Sequence, residues 1–361
     1  MKIIKEVDGL RAVAIAAVLI THYLPQDWAI HRWNVDGVRL FFVISGYLIT
    51  GILLKAVGES RDWKELSKVF YARRLLRIFP PYYALLLLSW AAGIGFPEGA
   101  GWTTALYVFN FHQGLSENPF LYLGHLWSLS VEEQFYLLWP WLVIFIPKRR
   151  LGVWIAICVA LGPVSRLVLA LAGAEHEMIR GFPLSCFDAL AAGAWLAWAG
   201  QGFGGKFLGQ WRAVRLWLGV AAYFAVSLKH LAPVPPILDE VVTPCLRAVY
   251  MLALLDWAIR FRGRPATALF RWLPLTYVGK ISYGIYLYHF LTLFPLYKLI
   301  KLAGSPPLMA EPIPFALAWT ALTLATASLS WHLFESPLLG LKRHFTYGPP
   351  PPKPSEASRS A

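Results

Sequence analysis

The sequence predicts an all-α integral membrane protein, with about ten transmembrane helices in one bundle and both termini cytoplasmic. Composition is the first sign: 57% of residues are hydrophobic, 15% are charged and the mean hydropathy is +0.52. Soluble domains of this length do not have that balance. The second sign is a recurrence of apolar stretches long enough to cross about 30 Å of hydrocarbon. They fall near 10–28, 36–57, 74–96, 129–147, 151–172, 182–200, 214–231, 240–260, 277–300 and 313–334. The third is charge: with both termini inside, about 25 of the 33 Lys and Arg residues fall on the cytoplasmic side, as the positive-inside rule requires.

Each remaining segment follows from that frame. The net charge of +13 is a topology signal, so no nucleic-acid partner is expected. The stretch 102–113 is apolar but short. Counting it as a span would put Lys148, Arg149 and Arg150 outside, so it reads as re-entrant or interfacial. Loops at 97–128, 173–181 and 232–239 face outward. Lys2 and Lys5 resemble a signal-peptide n-region, but Arg11 interrupts the apolar run and no small-residue cleavage site follows. The first run is therefore expected to be a retained helix. Cys158, Cys186 and Cys245 match no metal spacing and read as buried small hydrophobes. Residues 1–340 read as one membrane domain without internal repeat. Residues 341–361, rich in Pro and Ser from Tyr347 on, read as a disordered cytoplasmic tail. A multi-pass protein of the cytoplasmic (inner) membrane, bathed by lipid, is the expectation.

The first apolar run carries Arg11 and His22. Eleven residues of helix advance about 1100°, within roughly 20° of three turns, and about 16 Å, so both side chains leave one face. An ionisable group at membrane depth is expensive and marks a functional site by default. A His aligned with an Arg is best explained by proton transfer, because imidazole titrates near neutral pH. Asp8 either caps this helix or pairs with Arg11.

The second span contains Phe41, Ser45, Gly46 and Tyr47. Ser-Gly in an apolar helix favours close helix packing, while Phe41 and Tyr47 suit a pocket wall. Arg73, Arg74 and Arg77 follow before Pro80; Arg74 and Arg77, three apart, share a helix face. They are either positive-inside flanking charge or a phosphate site, for which the planar guanidinium fork is suited. Next come His125, Trp127, Ser128, Ser130, Glu132, Glu133 and Gln134, too many polar groups beside one span to be packing alone. Ser282, Tyr283, Gly284, Tyr286, Tyr288 and His289 form a late cluster, with His289 equally readable as a satisfied bundle histidine. Glu335 is expected to be solvated at the exit of the last span. Arg166 and Asp188 are expected to pair across helices.

Taken in order, the segments Glu6–His22, Asp36–Ile49, Phe70–Pro80, His125–Pro140, Ser282–His289 and Glu335–Pro337 resemble the membrane-bound acyltransferase 3 family. The resemblance implies a ten-helix domain that takes an acyl group, commonly acetyl, from cytoplasmic acyl-CoA. The acceptor it implies is a hydroxyl of a cell-surface or lipid-linked glycan, or of a small-molecule sugar such as that of a macrolide. The family's Arg-x10-His element falls on Arg11 and His22, and its Arg-x-x-Arg element on Arg74 and Arg77. Its Gly-x-x-Phe and Ser-Gly-Tyr elements fall loosely on Gly37 to Phe41 and better on Ser45, Gly46 and Tyr47. Many members carry a fused extracytoplasmic esterase-like domain. Here about 25 residues follow the last span, so a second catalytic domain would be a separate extracytoplasmic partner.

These readings combine into an expected mechanism. CoA phosphates dock at Arg74 and Arg77 with Arg73 and Arg11, and the thioester reaches His22, as general base or transient acyl carrier. Glu132, Glu133 and His125 orient His22 or bind sugar; Trp127, Ser128, Ser45 and Tyr47 line the acceptor site. No metal is expected. The alternative from another class is a lipid-linked sugar transporter or flippase, which intramembrane His, Arg and Glu would also suit.

Overall fold

The computed structural model describes residues 4–347 apart from 26, 29, 31–35, 60–61, 95–99, 116–122, 204–211, 230–233 and 305–310. The described residues are helical, with no strand among them. Among the described residues, four helices are long and apolar enough to cross a membrane: α2 (Gly37–Glu59), α7 (Lys148–Leu171), α11 (Pro236–Arg260) and the run Pro312–His344, which opens with α15 (Pro312–Ser330). The other apolar stretches are helical too, in α1 (Lys5–Tyr23), α3 (Trp63–Ala91), α6 (Leu126–Phe145), α9 (Phe187–Trp198) and α10 (Arg212–Leu228).

Several expectations are corrected. The first helix stops at Tyr23 rather than near 28, because Leu24 precedes Pro25 and takes the extended conformation a pre-proline residue favours (φ −104°, ψ 150°). His22 therefore sits in the last turn of its helix. The stretch 277–300 is three pieces, α12 (Leu273–Lys280), α13 (Ser282–Tyr288) and α14 (Leu293–Leu302). Pro295 stands in the first turn of α14, where its missing N–H is tolerated. Residues 176–181 are a short helix, α8, not a loop. Within 97–128 lie α4 (Ala100–Ala105) and α5 (Phe109–Leu115), each far too short to cross. Residues 341–344 continue the helical run as a 3-10 turn and are held in place. The rest of the proposed tail, 348–361, lies outside the described residues.

Close backbone approach fixes the centre of the bundle. A Cβ on Gly46 of α2 would stand 1.8 Å from the Leu190 carbonyl oxygen of α9, and one on Gly193 of α9 would stand 1.9 Å from that of Val43. Only glycine permits such a crossing, so Gly46 is a packing residue. Next to it, Asp188 of α9 bridges Arg39 of α2 (3.2 Å) and Arg166 of α7 (2.7 Å), all three nearly wholly buried. Arg166 also donates to the Ser185 carbonyl. Outward, α7 presents Val153, Trp154, Ile157, Val164 and Val168, an apolar face suited to lipid.

Candidate functional site

Two cavities meet inside the bundle. The smaller, about 250 Å³, is lined by Arg11 of α1, Arg74 and Arg77 of α3, Ser45 of α2, and Glu132 and Glu133 of α6. Tyr136, Ser128, Tyr283 and Tyr286 complete its wall. The spacing of Arg74 and Arg77 puts them on one face of α3, and Pro80 and Pro81 follow within the same helix. Those prolines have no N–H for the carbonyls of Leu76 and Arg77, which favours a bend just past the arginines.

The polar groups here are arranged in two ways. Ser45 Oγ donates to Glu132 Oε1 (2.5 Å) and accepts from the Tyr136 hydroxyl (3.1 Å), so Glu132 is held. The Arg74 guanidinium lies over the rings of Tyr136 (5.3 Å) and Phe70 (5.8 Å). Among the described residues, none of Arg11, Arg74 and Arg77 has an ion-pair or hydrogen-bond partner. Three guanidiniums thus face one cavity with their donors uncommitted. Arg73 is different. One residue turns a helix by about 100°, and Arg73 points away to donate to the carbonyls of Lys342 (3.2 Å) and Phe345 (2.7 Å).

The larger cavity, about 750 Å³, is lined by His22, Trp127, Asp36, Arg39, Arg180 and Arg247, among others. Arg180 lies 4.7 Å over the Trp127 ring and pairs with Glu177 at 3.1 Å. Asp36 accepts from Arg39 and Arg247. His22 is exposed to this space. Val38 and Phe42 line both cavities and so form the wall between them. Phe42 meets Trp127 edge to face at 6.2 Å.

Behind His22 stand two more histidines. The rings of His22 and His289 are 5.3 Å apart between centres, and those of His125 and His289 4.6 Å. Among the described residues, no group of three or more His, Cys, Asp or Glu is disposed to hold a metal ion. Tyr286 donates to the His125 carbonyl (2.8 Å) and meets Ser128 Oγ at 2.6 Å.

The residues read from the sequence therefore divide. Arg11, Arg74, Arg77, Ser45, Ser128, Glu132 and Glu133 converge on the small cavity, whereas His22 and Trp127 face the large one. His125 packs behind His22 and lines neither. Tyr47, two residues from Ser45 and so on another face of α2, packs partly buried against the core. Glu335 is not solvated: it is buried, accepts from Ser330 Oγ (3.0 Å) and lies against Gly284. It closes a π-helical turn, Trp331–Glu335, a distortion frequent at functional sites. His289, equally readable as a bundle residue, belongs to the histidine cluster.

A family model described as an acyltransferase domain matches residues 4–335. The peptidoglycan O-acetyltransferase OatA of Listeria monocytogenes is 30% identical over 93% of this chain and 56% of its own length. The putative peptidoglycan O-acetyltransferase YrhL of Bacillus subtilis is 29% identical over 92% of this chain and 54% of its own. A putative O-acetyltransferase of Staphylococcus aureus is 28% identical over 93% of this chain and 57% of its own. The chain thus spans a little over half the length of these relatives. No solved structure matches it. With its sequence matched from residue 4 to residue 335, this helical chain belongs to the acyltransferase family.

Proposed function

We propose that the chain is a ten-span enzyme of the cytoplasmic membrane that moves an acyl group, most simply acetyl, from cytoplasmic acyl-CoA to a glycan hydroxyl across the membrane. One observation carries the reading: Arg11, Arg74 and Arg77 converge on a cavity without ion-pair partners among the described residues. Three guanidiniums face two carboxylates there, Glu132 and Glu133, with no ion pair formed among them. The cavity thus carries a surplus positive charge that a further anion offsets, and the planar forks suit phosphate. A donor with several phosphates, such as CoA, answers that demand. The relatives' names supply the rest by similarity: acetyl as the group and peptidoglycan as the acceptor class.

In this reading the CoA phosphates sit at the three arginines, with Glu132 fixed by Ser45 beside them. The thioester passes the Val38–Phe42 wall and meets the acceptor hydroxyl at His22. His22 takes the hydroxyl proton as general base. The hydroxyl oxygen attacks the acyl carbon, the carbon–sulfur bond breaks, and the proton ends on the departing sulfur. Arg180 covers the buried Trp127 ring (4.7 Å), so a sugar in the larger cavity meets polar groups, those of Arg180, Asp36 and Arg247, that suit its hydroxyls.

The test is direct. Protein in lipid nanodiscs is mixed with acetyl-CoA and chitotetraose, and free thiol and acetylated sugar are measured together. Thiol release matched by acetylated sugar, and lost in His22→Ala, is the expected result. Acetyl-CoA binding without any thiol release, or equal turnover in His22→Ala, would reject it.

A further inference from the structure

His289 lies wholly buried beside His22, and nothing in the mechanism so far uses it. Its backbone carbonyl has lost its helical donor, because the Leu293 N–H goes to Phe290 instead. Three other groups take that carbonyl: Trp319 Nε1 (2.6 Å), Thr292 Oγ1 (2.9 Å) and the Tyr23 hydroxyl (3.3 Å). Tyr23 and Thr292 are themselves tied to Thr323 (2.8 and 2.7 Å), and Tyr23 stacks on Trp319 at 3.6 Å. The side chain is fixed as firmly. Nδ1 lies 2.7 Å from the Tyr286 carbonyl. A carbonyl only accepts, so the proton of the neutral ring is on Nδ1 and Nε2 carries the lone pair.

That Nε2 is buried and has no hydrogen-bond partner, in a residue with no exposed surface at all. A buried acceptor left bare is costly, so a nearby donor is favoured to turn toward it. Two imidazoles flank it. The His125 ring centre is 4.6 Å away at 66°, edge-to-face packing closer than an in-line bond between two rings, and neither of its own nitrogens is hydrogen-bonded among the described residues. The other is His22, whose ring makes no hydrogen bond among the described residues and whose centre is 5.3 Å away. Two imidazoles joined N–H···N at about 2.9 Å have ring centres roughly 5 Å apart. The spacing is therefore already that of a direct contact, needing only a turn of the more exposed His22 ring.

We propose, resting on the transfer reading above, that His289 is a positioning residue for His22, its Nε2 accepting the N–H of His22 while the other His22 nitrogen faces the acceptor hydroxyl. His22 gains the hydroxyl proton and passes it to the thiolate sulfur. His289 neither gains nor loses a proton; it sets the tautomer and angle of the working ring. This is the part an orienting group plays beside any catalytic histidine, filled here by a second imidazole.

Two substitutions separate this from a packing role. Gln places an oxygen acceptor near the Nε2 position, whereas Asn reaches only the Nδ1 position. Measured as thiol release from acetyl-CoA with chitotetraose in nanodiscs, His289→Asn is expected to lose about 100-fold in kcat with KM for acetyl-CoA within about twofold. His289→Gln is expected to recover to within about tenfold of wild type. His289→Met fills the space without an acceptor and replaces the Asn variant if the latter loses its thermal transition. A wild-type rate in the Asn or Met variant would overturn the proposal, as would equal losses in Gln and Asn with intact thermal transitions. The reading beneath it fails differently, by absence of thiol release from the wild-type protein, and the proposal falls with it.

Discussion

Arg166 and Asp188 meet at 2.7 Å with side chains almost fully withdrawn from solvent, and the same carboxylate also serves Arg39. Removing one partner of a buried ion pair costs far more than the pair itself contributes, about 3–5 kcal/mol. Asp188→Asn leaves two buried guanidiniums against a neutral amide. It is expected to lower the thermal transition in detergent by several degrees or to prevent recovery of folded protein. A transition unchanged within a degree would show that the triad is not what holds α2, α7 and α9 together.

The glycines of the α2–α9 crossing make a second stability prediction. Gly193→Ala puts a methyl group 1.9 Å from the Val43 carbonyl oxygen, a contact relieved only by moving backbone. Overpacking of this kind costs about 1–3 kcal/mol. Gly200, where an added Cβ meets nothing within 4 Å, is the control: its Ala variant should melt with the wild type. The comparison is read by tryptophan fluorescence on heating.

Adjacent arginines should differ in donor affinity. Arg74→Ala and Arg77→Ala each remove a guanidinium proposed to face phosphate, a charge-assisted contact worth roughly 1.5–3 kcal/mol. Acetyl-CoA Kd is expected to rise about tenfold or more in each. Arg73→Ala removes only donors to the Lys342 and Phe345 carbonyls and should change Kd less than threefold while loosening residues 341–347. Isothermal titration gives the first, limited proteolysis the second.

Cutting the ligand tests the same contact from the other side. Acetyl-pantetheine keeps the thioester but lacks the nucleotide phosphates. If those phosphates occupy the three arginines, it should bind at least 100-fold more weakly than acetyl-CoA. Raising the salt from 50 to 500 mM should erode acetyl-CoA affinity but leave acetyl-pantetheine nearly unchanged. Equal affinities for the two would move the donor away from Arg74 and Arg77.

Much of this was readable in the chain, for reasons that are local. Each apolar stretch is helical in whole or part because length and hydropathy dictate that in lipid. Gly46 was legible as packing, and Arg166 with Asp188 as a pair, because a buried charge demands a partner. Arg74 and Arg77 share a face by spacing alone. What escaped depends on partners remote in sequence. Arg73 leaves the arginine group because backbone carbonyls some 270 positions later receive it. Glu335 is buried because Gly284 leaves room for it. The break at His289 had a local sign in Pro295. Its meaning came only from Tyr23, Thr292 and Trp319 closing on one carbonyl.

Val38 and Phe42 are each a side of both cavities, so the barrier between them is a single layer of side chains. A cell membrane holds an ion gradient that a continuous water-filled tube would discharge. In the proposed reaction sugar and nucleotide each stay on their own side, and only the acylated end of the pantetheine arm has to pass that layer. Under that proposal the protein exports a chemical group while remaining electrically insulating.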